Sequence, residues 1–391
     1  MNMNRPLTIV IPAETYAPEV NGAATFAQQL AQGLAGRGHS VHVICPSPSG
    51  MAYHQADERG VEVHYIKSRR WPLHPTWRIC MPWNVAPAFD RLIDQIQPDI
   101  IHTQAHFVIG RRAFTAARRR RIPIVGTNHF MPQNVAPYVT APSAVVAAAE
   151  KAAWWDLKKQ YQSADYITVP TQLAADLLHE HGFDAPIRAV SCGIDLSHFH
   201  PGQPADDGSS ASPTVLFVGR LSAEKHIEDI LEAIAKTDPK LGLCAEIIGS
   251  GEQEKILADL SDELGIADRV VLRGKVSDAQ LVAAYQRADV FCMPSTAELQ
   301  SIATLEALAT GVPVVLADAV ALPHLCDDGV NGRLIPPRDT DGYAQAFTEI
   351  ATASAQARQR MSEAAQAIAA RHDISATLDS FEEIYFGLLG N

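Results

Sequence analysis

PGQPADDGSSASPTVLFVGRLSAEK, residues 201–225, divides the chain and shows what its parts are made of. Its opening, 201–213, holds no large side chain and no hydrophobic period, only the proline, glycine, serine and aspartate of a linker. The apolar run TVLFVG at 214–219 then reads as a buried strand, and the polar turn behind it as the mouth of a helix. The same unit recurs in both directions. Toward the N-terminus LTIVIPA, SVHVICPS, DIIHTQA, PIVGTNH and YITVPT alternate with helix-length segments; toward the C-terminus CAEIIGSG, RVVLRGKV, DVFCMPS and VPVVLAD do so. Such alternation predicts parallel sheets wrapped by helices, an α/β chain of two Rossmann-like doubly wound domains.

The expected domains are 1–200, then the linker 201–213, then 214–371, with a C-terminal helix over 372–391. That helix carries Leu378, Phe381, Ile384, Tyr385 and Leu388 at helical spacing and is expected to pack back on the first domain. The first helix shows Phe26, Leu30 and Leu34 on one stripe and stops at the turn Gly36 to His39. Later helices are predicted from His226, from Glu252, near Asp278 and near Ser301, and one Ala-rich helical stretch over 341–371. Two such domains facing each other would offer ligands the crevice at their strand carboxyl ends, the interdomain cleft.

Composition bounds the function. Over 391 residues, 47% hydrophobic and 19% charged content excludes a disordered or fibrous chain. A formal charge of -12 argues against nucleic acid as a partner. Its distribution is uneven, however: 18 Lys+Arg meet 14 Asp+Glu up to residue 190, and 14 meet 30 beyond it. No apolar run is long enough to span a bilayer and the start has no signal-peptide pattern, so a cytoplasmic protein is expected. The scattered Cys45, Cys80, Cys192, Cys244, Cys292 and Cys326 form no C-x-x-C and read as buried free thiols.

Four groups of residues can carry chemistry. In AELQSIATLEALATGVPVV, Glu298 falls in a loop and Glu306 within the helix that starts near Ser301. The first amides of that helix, from Gln300 onward, suit a diphosphate, and the two carboxylates suit vicinal hydroxyls of sugar and ribose. Alone, the pair also fits two solvated glutamates near a helix start. Arg220 and Lys225 in VGRLSAEK could hold one diphosphate by a planar fork and a point charge, or be ordinary surface cations. His129 ends the strand PIVGTNH, where a side chain points toward ligand or into the core. Gly22, in the loop ETYAPEVNGAATF, is either a turn glycine or a point of close backbone approach to a phosphate or sugar. No G-x-G-x-x-G follows a first strand, which disfavours a nicotinamide enzyme.

Together these residues resemble the retaining nucleotide-sugar glycosyltransferases of family 4. The resemblance rests on Pro18 to Gly22, HTQAHFVIG, TNHF, Arg220 with Lys225, and above all the E-x7-E element Glu298 to Glu306. It implies the B-type fold, with Gly22 at the donor phosphate or sugar and His129 at the donor sugar. Arg220 and Lys225 would hold the diphosphate, Glu298 the sugar hydroxyls and Glu306 the ribose, with Gln300 and Ser301 also on the donor. The stretches E-x-Y-x-P-x-x-N-G and HTQAHFVIG are similar to those of enzymes that glycosylate diacylglycerol or glycosyl-diacylglycerol. Two positions depart from the family: His226 and Ser301 stand where glycine is usual.

The expected activity is transfer of a hexose from UDP-glucose or GDP-mannose to a lipid hydroxyl, with retention and with no metal or other cofactor. A soluble small-molecule or polysaccharide acceptor, an epimerase or hydrolase on the same fold, and a non-catalytic sugar-nucleotide sensor remain alternatives. RRAFTAARRRR at 111–121 and KSRRWPLHPTWR at 67–78 predict peripheral docking on an anionic leaflet, through Arg118, Arg119, Arg120 and Arg121 with Trp71 and Trp77 at the interface. A solvated basic helix face would give the same pattern.

Overall fold

The computed structural model describes residues 5–19, 21–71, 78–132, 143–202 and 212–390. Val20, Trp77 and most of the linker thus lie outside the described residues. Two compact units result, Met1–Cys192 with Ser375–Asn391, and Gly193–Ile374.

Unit 1 runs β1 (Thr8–Pro12), α1 (Gly22–Gly36), β2 (Ser40–Pro46), β3 (Tyr53–Ala56), β4 (Glu62–Ile66), β5 (Ser68–Arg70), β6 (Arg78–Cys80), α2 (Pro82–Ile96), β7 (Ile100–Thr103), α3 (Val108–Arg120), β8 (Ile124–Thr127), α4 (Ser143–Tyr161), β9 (Tyr166–Val169), α5 (Gln172–Glu180) and β10 (Ile187–Ala189). Its main sheet has the order β10-β9-β8-β7-β1-β2-β4-β3, parallel except for the β3/β4 edge. β5 and β6 form a separate antiparallel ribbon. The central strands are buried on both faces, which is why they read as continuous apolar runs rather than alternating ones. α1 starts where the Asn21 side chain accepts from the Ala24 amide at 2.9 Å, and buries Phe26, Leu30 and Leu34.

Unit 2 runs β11 (Thr214–Val218), α6 (Glu228–Lys236), β12 (Cys244–Ile248), α7 (Glu254–Glu263), β13 (Val270–Gly274), α8 (Asp278–Arg287), β14 (Val290–Met293), α9 (Ile302–Ala309), β15 (Val314–Ala317), β16 (Gly332–Ile335), α10 (Thr340–Ala351) and α11 (Ala355–Ala370); α12 (Ile374–Leu389) follows. Its sheet is wholly parallel, in the order β13-β12-β11-β14-β15-β16. The single helical stretch expected over 341–371 is two helices. The break falls at Thr352 to Ser354, because the Ser354 hydroxyl accepts from the Ala357 amide and starts α11 afresh. Likewise α6 begins at Glu228 rather than His226, since His226 adopts φ +49°, outside the right-handed helix.

From Ser375 onward α12 belongs to unit 1. Phe381 packs at a tilt against Phe26 and His102, and the fully buried Tyr385 hydroxyl meets His102 Nδ1 at 2.6 Å. His102 Nε2 continues the chain to Thr127 Oγ1, and that oxygen to Thr168 Oγ1, each at 2.6 Å. Burial pushes the His102 imidazole down to about 3, so it joins α12 to β7, β8 and β9 as a neutral ring. Outside this core Arg37 pairs with Asp379 and Glu382, and His39 Nε2 lies 2.8 Å from Glu382. A Cβ on Gly33 would sit 2.6 Å from Leu378, so glycine sets how closely α1 and α12 approach. Among the described residues no helix is long and apolar enough to cross a membrane.

Tyr385→Phe leaves the His102 Nδ1 atom buried and unsatisfied. It should lower stability by about 1–3 kcal/mol in urea titrations with the m-value unchanged.

Candidate active site

In a sheet of unit 2's order the strands run outward in opposite senses from β11 and β14, and the crevice for ligand lies beyond their carboxyl ends. Arg220 and Lys225 follow β11; Glu298 follows β14. Beyond the strands the exits of β11 and β12 stay zipped: Gly219 N donates to Ile248 O at 3.0 Å and Leu221 N to Ser250 O at 3.1 Å. A side chain at Gly249, which holds φ +142°, would place Cβ 1.8 Å from Gly219 O. Arg220 therefore stands on a fixed backbone. Its Nη2 donates to Glu224 Oε1 at 3.0 Å, and Ser222 Oγ donates to the same oxygen at 2.7 Å.

A short turn, Ala223–Lys225, brings Lys225 to Glu298, and the two form an ion pair with little solvent around it. The structure accounts for the first departure from the family here. His226 takes the left-handed conformation that glycine adopts freely, at a cost of roughly 1–2 kcal/mol for a side chain. Its ring spans to Thr296 Oγ1 at 3.1 Å and so ties the β11 and β14 loops together. Glu224 does the same through its backbone, accepting from Ser295 Oγ at 3.2 Å.

The second departure is equally local. Ser301 has φ -90°, needs no glycine, and caps α9: its hydroxyl accepts from Thr304 N at 3.2 Å and from Thr304 Oγ1 at 2.8 Å. Gln300 is buried just before it, and the amides of Ile302 and Ala303 precede the first intrahelical bond. Glu306 lies within α9, 8% exposed, its Oε2 accepting from Tyr285 Oη on α8 at 2.7 Å. Burial pushes its carboxyl up to about 7 against the opposing pull of that bond, and Asp278 adds to the rise.

In unit 1, Gly22 is the exposed first residue of α1. His129 follows β8, its Nε2 3.1 Å from Gln104 Oε1 and its ring 4.9 Å from Phe26. Burial pushes it down to about 4, so at pH 7 it is a neutral hydrogen-bonding group. Glu14, after β1, accepts from the Ile109 and Gly110 amides at 2.6 and 3.1 Å and so holds the start of α3. A Cβ on Gly110 would meet Ala105 O at 1.8 Å. At the other end of α3 the four arginines are not equivalent. Arg120 is engaged by Asp94 at 2.7 Å and Asp90 at 3.3 Å; Arg118, Arg119 and Arg121 are exposed. Among the described residues no group of three His, Cys, Asp or Glu is arranged to hold a metal ion. The sequence holds one D-x-D run, Asp339 to Asp341, and there Asp339 caps α10 while Asp341 pairs with Lys236 at 2.8 Å.

Residues 20–198 match the Glycosyltransferase Family 4 domain and 205–368 the Glycosyl transferases group 1 domain. The chain is 30% identical, over 94% of its length and 89% of the relative's, to a D-inositol 3-phosphate glycosyltransferase of Saccharomonospora viridis. It belongs to glycosyltransferase family 4. It is also 29% identical to a GDP-mannose-dependent alpha-mannosyltransferase of Corynebacterium glutamicum, over 86% of this chain and 78% of that one. With an Alpha-monoglucosyldiacylglycerol synthase of Acholeplasma laidlawii it shares 27% identity, over 83% and 84%. A solved sucrose-phosphate synthase from Thermosynechococcus elongatus superposes with a TM-score of 0.82 at 21% identity, covering 98% of this chain and 99% of that one. This family 4 glycosyltransferase thus has the B-type fold of two Rossmann-like domains, and it is a hexosyltransferase that uses nucleotide sugars.

Of the glycosyltransferase's expected site residues, the structure pairs Lys225 with Glu298 and sets Arg220 and Ser301 on the loops around them. It gives Glu306 a partner that sequence reasoning missed, Tyr285, which sits in DAQLVAAYQR with nothing local to mark it. Glu224 was missed too, hidden between two better signals. Glu14 had one signal, the E-x-Y stretch, but no stated role.

Because the folded Glu306 value of about 7 lies above the ordinary 4.5, the protonated form favours the fold. That contribution is complete below pH 4.5 and lost as pH rises through 7. Glu306→Gln keeps an acceptor for Tyr285 without the charge. It should match wild type in urea titrations at pH 4.5 and exceed it by about 2–3 kcal/mol at pH 8.5.

Proposed function

We propose that this glycosyltransferase moves a hexose from UDP-glucose or GDP-mannose, with retention at the anomeric carbon, to a hydroxyl of a membrane lipid such as diacylglycerol or glycosyl-diacylglycerol. The observation that carries the reading is the set of cations and carboxylates beyond β11 and β14: Arg220, the Lys225–Glu298 pair, and Glu306 behind the start of α9. Similarity to the Alpha-monoglucosyldiacylglycerol synthase supports the lipid acceptor.

In this scheme Arg220 offers its fork and Lys225 its point charge to the diphosphate, and the first amides of α9 meet the same anion. Glu298, held by Lys225, accepts from sugar hydroxyls. Glu306, once ionised, accepts from the ribose; Gln300 and Ser301 line the donor. From unit 1, Gly22 allows close approach at the phosphate or sugar and neutral His129 serves the donor sugar. The acceptor oxygen attacks the anomeric carbon on the face the diphosphate leaves. The acceptor O–C bond forms, the C–O bond to phosphate breaks, and the acceptor proton passes to the departing phosphate oxygen. The two cations and the helix start stabilise that leaving charge, so the scheme calls for no metal.

The same reading sets the protein on the inner face of the membrane. Arg118, Arg119 and Arg121 would each add about 1 kcal/mol near an anionic surface, and the exposed Trp71 is the described aromatic at that position.

The test is to incubate the protein with a panel of nucleotide sugars and diacylglycerol in vesicles, with and without EDTA, and to identify the product by mass and anomeric configuration. An α-linked glycolipid should form at a rate indifferent to EDTA, and faster in anionic than in neutral vesicles. Donor consumed without acceptor would favour the hydrolase or epimerase reading, and transfer only to soluble acceptors would overturn the lipid.

A further inference from the structure

Unit 1 contains a recess lined in part by Tyr16 and Ala17, on the same loop after β1 that carries Glu14. It has a volume of 280 Å³ and lies between α1 and the β3–β4 hairpin, with Val63 in its lining. Tyr16, Gln28, Gln32, Gln55, Asp57 and Tyr65 supply its chemistry. Tyr16 belongs to the E-x-Y stretch yet has no part in the donor scheme. It is 6% exposed, and its hydroxyl has no hydrogen-bond partner. A buried hydroxyl left so costs free energy that water would have repaid. Burial and the nearby charge of Asp57 both hold its proton on, so it remains a donor at any ordinary pH.

Asp57 is fixed opposite it. One carboxylate oxygen accepts from the Arg59 and Val61 amides at 2.9 and 2.8 Å, and the other from Gln32 Nε2 at 2.9 Å. The Tyr65 ring is braced by stacking on Tyr53, with centroids 4.2 Å apart. The recess therefore combines a committed O–H donor, planar amides, an immobilised carboxylate and aromatic walls. Asp57 and Glu58 against Arg59 give its rim a negative balance, which repels phosphate and carboxylate ligands. A neutral polyhydroxylated ring fits the donor, amides and aromatic walls that the recess offers. Vicinal hydroxyls match amide and carboxylate forks, and the C–H face of a pyranose matches a tyrosine.

We infer that this recess is a saccharide-binding site for a neutral pyranose, distinct from the donor machinery of unit 2. Tyr16 donates to a ring hydroxyl there, Gln28 and Gln55 form amide contacts, and Asp57 orients the whole through Gln32. Its occupant is a sugar presented either free or at the end of a glycan, and the site is independent of whether the transferase acceptor is a lipid.

Saturation-transfer NMR on the full chain tests it, with methyl α-D-glucopyranoside, methyl α-D-mannopyranoside and maltose as probes. UDP and GDP are added in excess to occupy the donor site. Wild type should bind at least one probe saturably, in the millimolar range, with nucleotide making no difference. Tyr16→Phe removes only a hydroxyl that holds nothing in the fold, so its melting temperature should be unchanged or higher while affinity falls roughly tenfold. Gln55→Ala, at an exposed strand position, should weaken binding in the same sense. Tighter binding of maltose than of the monosaccharides would assign the site to glycan ends, and equal binding to free sugar. No saturable binding by wild type, displacement by nucleotide, or full affinity in Tyr16→Phe would overturn the inference.

Discussion

Backbone meets backbone where the strands of unit 2 end, and the site is built on that contact. Gly249 lies so close to Gly219 that a Cβ would fall 1.8 Å from its carbonyl oxygen, and a Cβ on Gly251 would fall 2.1 Å from Leu221 O. The β11 and β12 exits are thereby locked one beyond the other, and Arg220 between them has no freedom to drift. The β14 exit is tied to the same block through Glu224, Ser295, Thr296 and His226. A charged ligand entering here meets groups already oriented, which is what electrostatic stabilisation of a leaving diphosphate requires.

That rigidity explains the family departures without invoking a changed donor. His226 accepts a left-handed backbone and recovers part of the cost through Thr296, while Ser301 spends its hydroxyl on capping α9. It also changes the meaning of two motifs. Glu14 and Gly110, from E-x-Y and HTQAHFVIG, form a joint in which a carboxylate grips the amides of α3 at a point where no Cβ fits. In this chain the two stretches serve the backbone construction around the start of α3.

How much of this could be read from the sequence follows from the range of each interaction. Apolar runs alternating with helices gave the parallel α/β reading because both strand faces are buried, a property of a few adjacent residues. The E-x7-E element located α9 because cap and carboxylate lie within one helix. The Lys225–Glu298 pair bridges 73 positions and Tyr285–Glu306 bridges 21, and no spacing rule reaches either. The split of the predicted 341–371 stretch turned on one serine preferring a cap to a helix interior. Arg120 looked like its neighbours in a run of four, and only the fold brings Asp90 and Asp94 beneath it. The short edge strands β3, β5 and β6 carry too little apolar signal to stand out.

On the proposed function this block holds a nucleoside diphosphate, with Glu306 on the ribose. Free Glu306 is half protonated near pH 7, and a carboxylate that accepts from two hydroxyls must be ionised, so binding should expel its proton. Calorimetry of UDP or GDP binding in buffers of different ionisation enthalpy measures that release directly. At pH 6 wild type should release nearly one proton more than Glu306→Gln, about 0.9, and at pH 8.5 the difference should vanish. Equal proton release by the two proteins at pH 6, with equal affinity, would contradict the claim.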